Sequence, residues 1–190
     1  MLKSVLGLRE AQVGEAPAIA AVVNAATANK GGGGWTHESA LFEGARTDAD
    51  EIRELFAVPG AKFLVCTHGG AIVASAYLKP MSDAAAAYLG LLSVRPDMQG
   101  LGIASDLMAE GERIARDEWR RSLMLITVIT THRPELAAFY VRRGYRRTGR
   151  FKPRFDRKQV LLVAGLRPEW MEKLLGSARI ETILSSARRK

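Results

Sequence analysis

Residues 94–107, VRPDMQGLGIASDL, join an apolar run on the left to a helical pattern on the right through a turn that holds Gly100 and Gly102. A strand passing into a helix across glycines leaves the first amide N–H groups of that helix without intrahelical partners, and lets a ligand approach bare backbone. Such a joint suits an anion, because the helix dipole puts partial positive charge at the same point. Two familiar phosphate loops do not fit. No Gly-Lys-Ser/Thr triplet occurs, as a Walker loop requires. A dinucleotide fingerprint needs a third glycine where Ser105 stands and an acid at the end of the next strand, where TVITTH has none. The remaining reading without a ligand is a turn that only lets a helix pack close to a sheet.

Around this joint the patterning alternates between sheet and helix. SVLGLREA reads as a strand, and EAPAIAAVVNAATANK as a helix with Pro17 in its first turn. Gly31–Gly34 follow as a loop, and Thr47 then reads as the N-cap of DADEIRELFAV. KFLVCTHG and AIVASAYLK flank a turn at Thr67–Gly70 and predict a hairpin, with AAYLGLLSV as a third strand. An amphipathic helix follows from Ile103, then the continuously apolar strand SLMLITVIT, a helix from Pro134 closed by Gly144, and two last strands in GYRRTGR and KQVLLVAGL. From Pro168 onward, Trp170, Leu174 and Leu175 suggest a helical tail that docks on the core or on a second copy of the chain. At 190 residues and 47% apolar content, one core is expected. The fold class is α/β (α+β), a mixed sheet with helices on both faces, with one domain over residues 1–165 and a basic helical tail over 166–190.

Composition narrows the chemistry. Cys66 is the single cysteine, so an internal disulfide and a thiolate zinc cluster are excluded, and its place in KFLVCTHGG predicts a buried strand residue. His37, His68 and His132 have no metal-ligand spacing, so no metal is expected. No run of 18 apolar residues is present, and Arg9 and Glu10 interrupt the first apolar stretch before a signal-peptide core forms, so no membrane association and a cytoplasmic location are expected. The net charge of +8 is uneven: residues 1–100 hold 8 Lys/Arg against 10 Asp/Glu, and residues 101–190 hold 20 against 10. From Arg142 to Lys158 nine cations face only Asp156, which is either a solvated surface or an attractor of polyanions, whether a phosphorylated small molecule or nucleic acid.

The pattern Gln99-x-x-Gly102-x-Ala104, preceded by Leu92-Ser93-Val94-x-Pro96, resembles the coenzyme loop of the GNAT acetyltransferase superfamily. A second block, Glu135 to Tyr145, is similar to that superfamily's A-x-x-x-Tyr-x-x-x-Gly-Phe/Tyr helix, and the resemblance extends over roughly residues 5–165. It implies a mostly antiparallel central sheet and acetyl-coenzyme A as cosubstrate. The strand before the loop would splay from the next one, with Leu92, Ser93 and Val94 pairing with the pantetheine arm. The pyrophosphate would rest on Gln99, Gly100, Leu101, Gly102, Ile103, Ala104 and Ser105, with Arg142 or Arg143 reaching the 3′-phosphate. A neutral amine would attack the thioester directly, with the Leu92 N–H as oxyanion donor and Tyr140 as general acid to the leaving thiolate.

Two departures bear on mechanism. Family members often carry a carboxylate base on the strand before the loop, whereas YLGLLSV has Gly90 and no acid. Glu38, His37 and Tyr88 are the replacement candidates. Arg133 stands before Pro134 where asparagine is common, and arginine is a poor helix cap. The acceptor pocket is expected around Gly31–Arg46, with Trp35, His37, Glu38 and Tyr88 as substrate contacts. The expected activity is N-acetylation of a small-molecule primary amine. A protein acetyltransferase that docks its basic half on a ribosome or another acidic partner, and a non-catalytic acyl-coenzyme A binding domain, are the alternatives.

Overall fold

The computed structural model describes residues 6–28, 41–153 and 160–176. Strand β1 (Leu6–Glu10) leads to helix α1 (Ala16–Thr27), which carries Pro17 in its first turn where a missing N–H costs nothing. A two-residue strand β2 (Phe42–Glu43) precedes helix α2 (Ala49–Phe56). The N-cap of α2 is Asp48, whose carboxylate accepts from the Glu51 amide at 2.8 Å. That corrects Thr47, which is buried instead and donates its hydroxyl to Glu51.

Strands β3 (Lys62–His68), β4 (Ala71–Pro80) and β5 (Ala86–Val94) form the expected antiparallel meander. Helix α3 (Ile103–Arg113), strand β6 (Leu123–Val128), helix α4 (Pro134–Val141) and strand β7 (Arg146–Phe151) follow in the order read from the sequence. Among the described residues of KQVLLVAGL, Val160–Leu161 form strand β8, which pairs with β2 rather than with the main sheet.

The last strand corrects the chain's predicted end. Glu169–Leu174 form strand β9, not a helix, and β9 lies inside the seven-stranded sheet, whose order is β1-β3-β4-β5-β6-β9-β7. Met171 is fully buried, and Leu166 and Leu175 are buried as well, so residues 166–175 complete the core rather than append to it. Burial here alternates with period two, with Glu169 and Met171 inward and Trp170 only partly covered.

Pairing is antiparallel everywhere except between β5 and β6. On one face α1 and α2 bury Ile19, Val23 and Ile52 against Phe63, Val65 and Tyr77. On the other, α3 buries Ile103, Leu107 and Met108 against Leu64, Leu78 and Leu89. Gly111 brings α3 close: a Cβ there would stand 3.1 Å from a Leu89 methyl. The helices therefore cover both faces of a mixed, mostly antiparallel sheet, as expected.

Candidate active site

Strands β5 and β6 pair only at Ala86–Leu123, Ala87–Met124 and Tyr88–Leu125. Beyond Tyr88 they part: β6 continues along β9 to Val128, while β5 runs on with β4 alone on its other side. The register of β4 and β5 shifts between Ser75 and Tyr77, and Leu91 lies there at φ +47°, a left-handed conformation that costs a leucine about 1–2 kcal/mol. The bulge returns Leu92 and Val94 to the α3 face, where both pack against the larger core.

A cavity of about 320 Å³ opens at this split. Leu92 and Val94 form its wall from β5, Gln99, Gly100, Gly102, Ile103, Ala104 and Ser105 its floor, and Tyr140, Arg142 and Arg143 its side from α4. Gly100 and Gly102 have φ +79° and +86°, the region that only glycine enters freely, and Gly102 is the N-cap of α3. Among the described residues, the amides of Gly100 through Ala104 donate to no protein group; the next amide, of Ser105, donates to the Gly102 carbonyl at 2.9 Å. The turn is held from behind by the Gln99 side chain, which donates to the Val94 carbonyl at 3.1 Å.

Arg143 adds a full positive charge to this floor. Its Nε donates to Ser105 Oγ at 3.1 Å, Nη2 donates to the same oxygen, and Nη1 donates to the Phe139 carbonyl at 3.1 Å. The guanidinium stacks 3.5 Å from the centre of the Phe139 ring. No carboxylate pairs with it among the described residues, and burial together with the neighbouring Arg142 pushes it below the ordinary arginine range. A half-buried cation with neutral partners, set beside five unengaged amides, is a place where an anion is stabilised.

Tyr140 is 8% exposed and reaches the cavity from α4, its ring edge-on to Phe139 and Tyr145. Tyr145 is fixed in turn by Glu112, which accepts from its hydroxyl at 3.0 Å and from Lys173 Nζ at 2.6 Å.

Of the residues expected to line a coenzyme site, Ser93 and Leu101 are not part of the cavity lining. Ser93 is buried opposite Ser75, and Leu101 packs into the core. Met98, Leu136 and Phe139 line the cavity and were not anticipated. For α4 the signal was present, because residues 136, 139, 140 and 143 form one helical stripe. Tyr88 lies on the opposite face of β5, half-buried, its hydroxyl 3.2 Å from Thr127 Oγ1. Trp35, His37 and Glu38, with Gly31–Gly34, lie outside the described residues. Arg133 provides no side-chain cap to α4; it is buried, and its Nε donates to Glu135 at 2.7 Å.

An acetyltransferase (GNAT) domain model matches residues 59–147, from the start of the meander to the first residues of β7. Over those residues the chain matches a GNAT acetyltransferase domain. Its fold is shared with the spermidine N-acetyltransferase of Vibrio cholerae solved in complex with CoA and spermine, at 17% identity and a TM-score of 0.66 over 90% of this chain and 96% of that one. The ribosomal-protein-alanine N-acetyltransferase of Brucella melitensis is similar at 20% identity and a TM-score of 0.66, over 89% and 99% of the two chains. A candidate acetyltransferase from Salmonella typhimurium, solved with its cofactor acetyl-CoA, is similar at 17% identity and a TM-score of 0.65, over 90% and 95%. No curated protein matches the chain in sequence. Among the described residues, no helix is long and apolar enough to cross a membrane, and no group of three or more His, Cys, Asp or Glu could hold a metal ion.

Proposed function

We propose that the chain is an acetyl-coenzyme A-dependent N-acetyltransferase that acts on a primary amine of a small molecule. The observation that carries this reading is that one cavity is lined by Gly100, Gly102, Ile103 and Ala104, whose amides are unengaged, by Arg143, by Leu92 of the parted strand and by Tyr140. A diphosphate needs several converging donors to offset its desolvation, and this floor supplies them. Acetyl-coenzyme A would bring the activated thioester. Leu92, Ser93 and Val94 supply a strand edge freed by the split from β6 for an extended arm, and Arg142 and Arg143 supply cations for the 3′-phosphate. The Leu92 N–H serves as the oxyanion donor. Tyr140 gives its phenolic proton to the departing thiolate. Glu38 and His37 stay as candidates for the base that takes the proton from the amine.

A small acceptor is favoured over a polyanionic partner because the described part of the basic run is largely engaged within the fold. Arg146 and Arg150 pair with Glu172, and Arg147 pairs with Glu169, which leaves Arg143 facing the cavity. The spermine complex of the Vibrio cholerae protein is consistent with a fold that takes small amines.

Titration calorimetry with acetyl-coenzyme A and with its 3′-dephospho analogue tests the first half of the reading. Binding with a Kd in the micromolar range or below that weakens without the 3′-phosphate is expected, and no heat at millimolar ligand would overturn the reading. Thiol release on addition of a panel of primary amines tests the second half, and a protein that binds coenzyme yet acetylates nothing would be a binding domain.

A further inference from the structure

Strand β5 carries no carboxylate, and at position 90, where it has a glycine, the space is taken. A Cβ on Gly90 would stand 2.6 Å from Cε1 of Tyr88, 2.9 Å from Cζ and 2.8 Å from its hydroxyl oxygen. The phenol of Tyr88 therefore lies across residue 90, running along β5 towards the bulge and Leu92. Gly90 is not in a left-handed conformation, so room for this ring is the reason that position 90 lacks a side chain.

The hydroxyl ends at the point where the sheet opens. Tyr88 belongs to the last β5–β6 pair, and its oxygen bridges to Thr127 on β6 at 3.2 Å, across the mouth of the split. The surroundings on this face are polar but sparsely satisfied. Tyr77, paired with Gly90 across the strands, is 3% exposed with no partner for its hydroxyl, and Ser75 is fully buried with none for its own. Burial and the proximity of Tyr88 push the Tyr77 hydroxyl up to about 12. The edge of Trp170 stands against the Tyr88 ring, with centroids 5.9 Å apart.

We propose that the Tyr88 hydroxyl, held by Thr127 in the space that Gly90 leaves, accepts a hydrogen bond from the acceptor amine and aims its lone pair through the strand split at the thioester. This rests on the acetyltransferase reading above. Either hydroxyl can be the donor in this pair; in the proposed arrangement Tyr88 O–H is the donor to Thr127 Oγ1, which leaves the phenolic oxygen as acceptor for an amine N–H. The proton lost by the amine goes to the separate base and not to Tyr88.

The same geometry selects a substrate class. Lys79 Nζ lies 5.9 Å over the Tyr88 ring, so a second positive charge on the acceptor would meet an ammonium group. A primary monoamine on an aromatic or apolar body fits this wall, and a polyamine does not.

The experiment is steady-state kinetics with phenylethylamine and spermidine as probes, on the whole chain and on Tyr88→Phe, Gly90→Ala and the double variant, with acetyl-coenzyme A affinity measured in parallel. The unsubstituted protein is expected to favour phenylethylamine over spermidine in kcat/KM. Tyr88→Phe is expected to raise KM for the amine about tenfold with coenzyme affinity unchanged. Gly90→Ala displaces the ring and is expected to do the same, and the double variant is expected to be no worse than either single one, because both act through one hydroxyl. An unchanged KM in both single variants, or additive losses in the double one, would overturn the role of Tyr88, and preference for spermidine would overturn the substrate class. A protein that acetylates no amine at all fails earlier, at the proposed activity. If Tyr88→Phe does not fold, Gly90→Ala with Thr127→Val decides the question on the same readouts.

Discussion

Among the described residues, Glu169 and Arg143 are both withdrawn from water, and the chain treats these two charges in opposite ways. The Glu169 carboxylate, 1% exposed, is saturated: Thr130 donates at 2.5 Å, Arg147 Nε at 2.8 Å, and the Gly149 amide at 3.0 Å. The Arg143 guanidinium meets only a hydroxyl, a backbone carbonyl and an aromatic face, beside amides that donate to nothing. One charge is complete within the fold and binds β6, β7 and β9 together. The other has an unmet electrostatic demand, and that demand marks the place for a ligand.

The largest effect that separates the two sites is expected from Arg147→Met. Losing the cation leaves the buried Glu169 carboxylate with two neutral donors; because Arg147 is itself half exposed, the loss falls below that of a fully buried pair, at about 1–2 kcal/mol. Urea denaturation should show that loss while the folded variant binds acetyl-coenzyme A as before. A loss under about 1 kcal/mol would mean that Glu169 is less isolated than its burial indicates.

Tyr140→Phe sharpens the ligand side. The ring and its packing against Phe139 and Tyr145 are kept, and only the hydroxyl is lost. Turnover should fall about a hundredfold, the lower range for a general acid, with unchanged coenzyme affinity. Unchanged turnover would leave the tyrosine a packing role only.

The sequence disclosed these two sites unequally, and the reason is physical. The glycine turn and the α4 block were legible because backbone geometry demands glycine at φ +79° and +86°, and a demand on the backbone leaves its trace in residue type. Strand β9 was not legible. Its inward positions are Glu169 and Met171, and a carboxylate on the buried side breaks the alternation by which strands are recognised, while the exposed Leu174 strengthens a false helical spacing. Only the tertiary partners Thr130 and Arg147, 39 and 22 residues away, make Glu169 an interior residue. The same holds at Gly90: the missing carboxylate was readable, but not the Tyr88 ring in its space. At α2 both Thr47 and Asp48 are cap-forming types, and the choice between them was made by the Asn24 side chain, which accepts from the Thr47 amide and holds that residue in the interior.

Arg143→Met should reverse the outcome of Arg147→Met. Acetyl-coenzyme A affinity is expected to fall about tenfold, the loss of one charge-assisted contact, with stability unchanged within about 0.5 kcal/mol. Calorimetry and denaturation on the same preparation check both halves. If this variant lost as much stability as Arg147→Met, the contrast between a completed and an open charge would fail.

The smallest effect is a change of slope with pH. Burial alone would raise Glu169, but the hydrogen bonds from Arg147, Thr130 and the Gly149 amide outweigh it and hold the carboxyl below its ordinary value. A group depressed in the folded state contributes stability that is present above its unfolded value, about 4.3, and is lost as pH falls through the folded value. Glu15, held at about 2 by Arg9 and the Gln12 amide, loses its contribution over the same acid range in both proteins and cancels in their difference. In Arg147→Met the donors that depress Glu169 are fewer and its burial is unchanged, so its stability should depend less steeply on acid. The gap between the two proteins is therefore expected to narrow as pH is lowered from 7 through 4 towards 2 in urea titrations. A gap that stays constant over that range would place the worth of Arg147 in packing rather than in charge.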